Sequence, residues 1–119
     1  MIFMQTFEGR NRSSKPLLYG GKGSVWVNPK IGEFYHITYE EEVSEFDEDN
    51  HFKIGKIIGI DMRSRFINFT GINGYLNVYD TVIHEFNIRF NNNQRICRLA
   101  TKEEIARFNK AMTIKRFDL

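Results

Sequence analysis

Cysteine, proline and alanine are scarce in this chain. Its single cysteine, Cys97, excludes an internal disulfide and fits a reducing compartment. Alanine occurs only three times in 119 residues, at 100, 106 and 111, against 11 Phe and 14 Ile, and that bias suits strands better than helices. Proline occurs twice, at 16 and 29. No apolar run approaches the roughly 18 residues a membrane span needs. The start, Met1-Ile-Phe-Met4, has no basic stretch and no long apolar run, so a secretory signal peptide is not expected and a cytoplasmic site is. The net charge of +2 is too small to imply a polyanionic partner. No catalytic motif is present, and no enzyme is expected.

One domain with one core is what this length allows, and an aromatic content of 14% is enough to pack it. The strongest pattern runs from Lys53 to Phe90. Four short runs rich in β-branched and aromatic residues, Lys53–Ile60, Arg65–Thr70, Tyr75–Tyr79 and Val82–Phe90, are each bounded by turn residues. This predicts a four-strand antiparallel meander with a tight turn at Gly71-Ile-Asn-Gly74, where Asn73-Gly74 can take positive φ. Leu76 and Val78 should then face inward, and Tyr75, Asn77 and Tyr79 outward. His84 falls on the apolar face of the fourth run and reads as a core or rim histidine.

Flanking runs complete a mostly β fold. Gly32–Tyr39 alternates, with Tyr35, Ile37 and Tyr39 on one face and Phe34, His36 and Thr38 on the other. Residues 2–8 and Ser24–Asn28 read as short strands, the second centred on Trp26 and ended by Pro29. Arg95–Ala100 is a last strand with Cys97 and Leu99 inward. Thr101 and Glu104 then form a capping box for one helix, about 102–112, with Ile105, Phe108, Ala111 and Met112 as its apolar stripe. The expected organisation is a basic arm at 1–24, a β-domain at 25–113, and a tail at 114–119 whose Ile114 and Phe117 need cover.

Charge is segregated. Residues 1–30 carry five basic groups and one acid, residues 31–52 eight acids and no Lys or Arg, and residues 89–119 eight basic groups and three acids. The bland reading is solvated loops; the sharper one is a polar docking surface. Two apparent motifs fail. Gly20-Gly-Lys-Gly-Ser24 lacks the spacing of a phosphate loop, because Gly23 separates Lys22 from Ser24. Glu45, Asp47, Asp49 and His51 outline a hard-metal site but lack the glycine and twelfth-position Glu of a calcium loop. Neither a metal nor a cofactor is expected.

The segment Arg98-Leu-Ala-Thr-Lys-Glu-Glu-Ile105 resembles the ending of small uncharacterised proteins of Bacteroidota and their tailed phages. In these, a strand finishing in Arg-x-Ala-Thr leads into an acidic-capped helix, and the barrel before it is SH3-like in outline. The resemblance implies a small antiparallel barrel or sheet with one short C-terminal helix, in a phage or bacterial accessory protein. It transfers no functional residue.

Three readings follow. The first is a structural or protein-interaction module, such as a virion component, contacting other protein subunits through Arg10, Arg12, Lys15, Lys22, Trp26, Ile114 and Phe117. The second is a nucleic-acid-binding barrel using Tyr75 and Tyr79 with Arg63, Arg65, Arg89 and Arg95; the low net charge disfavours it. The third is a phage protein that inhibits a host enzyme or defence system with its acidic segment. No membrane contact is expected.

Overall fold

The computed structural model describes residues 15–39 and 51–117, with Phe117 described in its backbone only. Six strands and one helix follow in order: β1 (Phe34–Tyr39), β2 (His51–Asp61), β3 (Phe66–Tyr75), β4 (Val78–Tyr79), β5 (His84–Arg89), β6 (Arg95–Leu99) and α1 (Lys102–Phe117). All strand pairs are antiparallel. The order is β4-β3-β2-β1-β6, and β5 shares with β4 the outer edge of β3. The meander thus brings its last strand back beside its first. The expected barrel or sheet is present as a sheet that does not close, because β5 and β6 do not pair.

The segment Leu17–Tyr19 lies across that seam. Asn91 donates its N–H to the Leu17 carbonyl, Cys97 donates to Tyr19, and Leu18 pairs with Val27. Leu18 is fully buried in the core, so residues 17–19 of the expected arm are part of the domain. Ser24–Asn28 is not a strand: only the Leu18–Val27 bridge forms, Val25 is exposed, and Trp26 packs on Tyr19 with ring centroids 5.0 Å apart. The expected strand at 2–8 lies outside the described residues.

Two cores divide the sheet. The larger has nine buried residues, among them Tyr35, Ile37, Ile57, Ile67 and Phe69, and lies on one face. The smaller has Ile54 and Ile72 under Phe108 and Ala111 of α1. At roughly 1.5–3 kcal/mol for each large apolar side chain, the larger core supplies most of the burial. A bulge sets the parity of β2. Ile57 pairs with Phe69 and Gly59 with Asn68, which leaves Ile58 without a partner position. Ile57 and Ile60, three apart, therefore both pack into the larger core.

The expected turn at Gly71–Gly74 is a strand. β3 runs straight through it, and the two-residue turn comes later, at Leu76-Asn77. These glycines serve close approach instead. A Cβ on Gly71 would overlap the Ile54 carbonyl oxygen, and one on Gly74 would overlap the Phe52 ring. The shift reverses the expected faces of the third run. Leu76 and Val78 are exposed, at 57% and 68%, while Tyr79 packs against the smaller core.

The capping box forms as expected. Thr101 donates its N–H to Glu104 Oε1 at 2.8 Å, and Glu104 donates its N–H to Thr101 Oγ1 at 3.2 Å. The helix continues past 112 to Phe117, so residues 114–117 are not a separate tail. No Gly or Pro stops it, and Lys115 and Arg116 suit the negative end of the helix dipole.

Candidate functional site

Strand parity decides which charged groups meet. On β6, Arg95 and Arg98 differ by three and so leave opposite faces. In β2, Lys53 shares the face of Gly55 and Ile57. The absence of a side chain at Gly55 lets Phe69 and Phe86 pack closely there; their rings stack at 5.0 Å with planes 3° apart. The Lys53 ammonium lies 4.9 Å from the Phe86 ring centroid. It donates to Asn73 Oδ1 at 2.6 Å and meets His84 Nε2 at 3.2 Å.

Beside Lys53 a cavity of about 320 Å³ opens at the end of the sheet. β1 contributes Ile37 to Tyr39, β2 His51 to Lys53, β3 Asn73 and Gly74, and β6 Arg95. The Arg95 guanidinium stacks over the Tyr39 ring at 4.2 Å. A second, more open groove adjoins across His51, Asn73 and Gly74 and continues to Tyr75, Val78 and Tyr79. His51 and Tyr75 stand together at this junction, with ring centroids 4.5 Å apart.

The cavity is rich in donors and short of acceptors. Lys53 has three N–H donors and uses two. Arg95 has five, and its interaction among the described residues is with the Tyr39 ring. No carboxylate among the described residues pairs with either cation. Burial, and then the charge of Arg95, hold the Lys53 ammonium below its usual value. Burial and the Lys53 charge also lower His84, against weaker support from the Val82 backbone and Asp80. His84 is thus neutral at pH 7, and its Nε2 accepts from Lys53.

On the other face the charges are paired. Arg98 donates two hydrogen bonds to the carboxylate oxygens of buried Glu104, both at 2.9 Å. Burial pushes the Glu104 carboxyl up, but hydrogen bonds from Arg98 and the Thr101 backbone, with the charges of Arg98 and His36, outweigh it and hold it below its usual value. His36 Nε2 lies 3.9 Å from this carboxylate, and the ring stacks on Phe52 at 5.0 Å. Burial and Arg98 lower His36, so it is neutral at pH 7 and makes no ion pair there. Cys97 is buried, and its thiol is pushed up to about 12. It is inert as a nucleophile.

The residues singled out from sequence are dispersed. Arg10, Arg12 and the acids Glu45, Asp47 and Asp49 lie outside the described residues. Lys15 and Lys22 are exposed, Trp26 is half-buried, and Ile114 is 40% exposed on α1. None of these described residues, Lys15, Lys22, Trp26 and Ile114, lines the cavity. Of the four arginines proposed to flank Tyr75 and Tyr79, Arg95 alone stands at that end. Arg63 and Arg65 are in the β2–β3 turn, and Arg89 lies over Phe66 beside it. Lys53 and Asn73 were missed; their signal was a lysine on the apolar face of a strand opposite an asparagine.

Among the described residues, no three His, Cys, Asp or Glu converge as a metal site, and no helix is long and apolar enough to cross a membrane. No protein-family model, curated protein or solved structure matches the chain.

Proposed function

We propose that the protein is a non-enzymatic protein-interaction module whose working surface is the end of the sheet at Tyr39, His51 and Tyr75. The observation that carries this reading is the cavity with Lys53 and Arg95. There, two cations without a carboxylate partner among the described residues stand beside exposed apolar groups, whereas the Glu104 carboxylate is paired on the other face and the Cys97 thiol is buried. Leu76 and Val78, on the β3–β4 hairpin beside that cavity, and Val82, in the connection after β4, are 57%, 68% and 63% exposed. Leu76 also takes φ 57°, a left-handed conformation that costs a leucine roughly 1–2 kcal/mol. An exposed apolar side chain held under strain fits a contact surface.

A nucleic-acid role has weaker support. Binding a strand needs cations along a track, and Arg63, Arg65 and Arg89 stand at the opposite end from Tyr75. The resemblance carried by Arg98–Ile105 adds a viral setting to the proposal: a virion or virion-associated subunit in which other copies or capsid proteins are the partners, or an accessory protein that occupies a host enzyme.

Light scattering on the purified chain at two salt concentrations is the test. A species that grows with protein concentration, and returns to monomer with Val78→Asp, supports self-assembly through this end. Growth that Val78→Asp leaves unchanged refutes this end as the working surface. A monomer at both salts makes a foreign protein the partner.

A further inference from the structure

We infer that the cavity between β1, β2 and β6 receives carboxylates of an acidic peptide segment, with a neighbouring apolar residue of that segment lying in the groove at Tyr75 and Val78. The inference rests on the interaction reading and names the chemistry of the partner.

The donor count comes first. Lys53 and Arg95 line one cavity, and between them keep six N–H donors, one and five, that no carboxylate among the described residues accepts. Two like charges kept close and half-desolvated repel, and an anion placed between them removes that repulsion. Neutral His84 has its Nε2 turned to Lys53, and the Asn73 Oδ1 acceptor is likewise taken up by Lys53. The charged capacity that remains on the cavity wall is donor in character, so a matching ligand supplies acceptors and negative charge.

The neighbouring groove selects a peptide. It is aromatic and apolar at Tyr75, Val78 and Tyr79, and Asp80 on its wall opposes a chain of phosphates. A ligand that fills both parts needs acidic groups at one end and an apolar side chain at the other, spaced by a few residues. An acidic peptide has both. The sequence also bears on this site in one respect: the acidic run Glu40–Asp49 lies in sequence between Tyr39 and His51, both on the cavity wall. Those tethered carboxylates must be neutralised in one arm of any binding test.

The experiment is a fluorescence-anisotropy titration with a labelled peptide of alternating Glu and Leu. The same peptide with Gln for Glu and a short labelled oligothymidylate serve as comparators. A parallel series uses the full chain with the acids of 40–49 changed to Gln or Asn. The Glu peptide is expected to bind, and Lys53→Met and Arg95→Met are each expected to weaken it about tenfold, one charge-assisted contact apiece. Arg89→Met, at the far end of the sheet, should leave the affinity unchanged. Arg95→Lys, which keeps the charge and loses the fork, should fall between wild type and Arg95→Met. Binding seen only in the neutralised series supports the inference and identifies the chain's own acids as competitors.

Equal binding of the Gln peptide overturns carboxylate recognition. Oligothymidylate binding in place of peptide binding, falling steeply with salt, replaces the inference with a nucleic-acid site. No binding in either series overturns the inference outright. The two readings fail separately: a concentration-dependent species that is lost with Val78→Asp and untouched by Lys53→Met and Arg95→Met would keep the interaction reading and discard the anionic cavity.

Discussion

Arg95 and Arg98 occupy one short strand, three residues apart, and their surroundings are opposite in kind. Arg98 makes a two-pronged contact with Glu104, which is only 9% exposed, and that carboxylate also accepts the Thr101 N–H and caps α1. Opposite charges are matched and the carboxylate is well supplied with donors. Arg95 faces Lys53, a like charge, across a cavity without a carboxylate among the described residues. Desolvating an unmatched charge opposes folding. The Arg98 face therefore stabilises the fold, and in the reading proposed above the Arg95 face has its energetic return when an anion is bound.

The comparison breaks most visibly at Glu104. Glu104→Ala removes the side-chain half of the capping box and leaves Arg98 without its partner. A loss of about 2–3 kcal/mol is expected in chemical denaturation. Glu104→Gln keeps an acceptor for the Thr101 N–H and should lose about 1 kcal/mol. An equal loss in both variants would show that the charge, and not the cap, is what matters.

Acid should act on both faces in sequence. His36 and His84 titrate below their ordinary 6.5 in the folded protein. As the pH falls below 6.5 the unfolded chain takes up protons first, so stability declines with falling pH. Glu104 is held below its ordinary 4.5; its contribution is complete above 4.5 and is lost as the pH drops through the folded value. Thermal melts followed by circular dichroism from about pH 8 to about pH 2 should be flat at first, decline gently as the histidines titrate, and decline again below the ordinary carboxylate value. His36→Gln should remove part of the gentle decline. A melting temperature that rises on acidification would contradict the assigned directions.

Leu76 separates stability from binding at the cavity end. Leu76→Gly relieves a φ of 57° that glycine adopts freely. The relief exceeds the added freedom of the unfolded chain, and a gain of about 0.5–1 kcal/mol is expected. Assembly or peptide binding should weaken at the same time, because the exposed side chain is lost. A variant both less stable and unimpaired in binding would remove the hairpin from the interaction surface.

Much of the architecture could be read from local pattern. The alternation of Tyr35 and Ile37 against Phe34 and His36 gave the two faces of β1, and Thr101 with Glu104 gave the start of the helix. What escaped depended on partners distant in sequence. Gly71 and Gly74 look like turn glycines until Ile54 and Phe52 are known to lie against them. The bulge at Ile58 shows only in the pairing of β2 with β3. The cavity was hidden for the same reason: Lys53, Asn73 and His84 meet through the pairing of β2, β3 and β5, and Arg95 joins them only through the return of β6 beside β1. Arg98-x-Ala-Thr-x-x-Glu104, by contrast, is local, and its ion pair lies within a segment already marked as informative.

The smallest expected effect is the sharpest form of the comparison. Arg95→Met gives up a cation–π contact with Tyr39, worth about 0.5–1 kcal/mol, and relieves repulsion on a half-buried ammonium. The two nearly cancel, so stability should stay within about 0.5 kcal/mol of the parent. Arg98→Met strands Glu104 and should lose about 1.5 kcal/mol, moderated because the Arg98 side chain is 49% exposed. Salt should divide them further. It screens repulsion between Lys53 and Arg95 and attraction between Arg98 and Glu104, so the loss in Arg98→Met should shrink at high salt, while any gain in Arg95→Met should shrink with it. Matched losses in the two variants would mean that Arg95 has a structural acceptor of its own, and the cavity would then have no unmatched charge to offer a ligand.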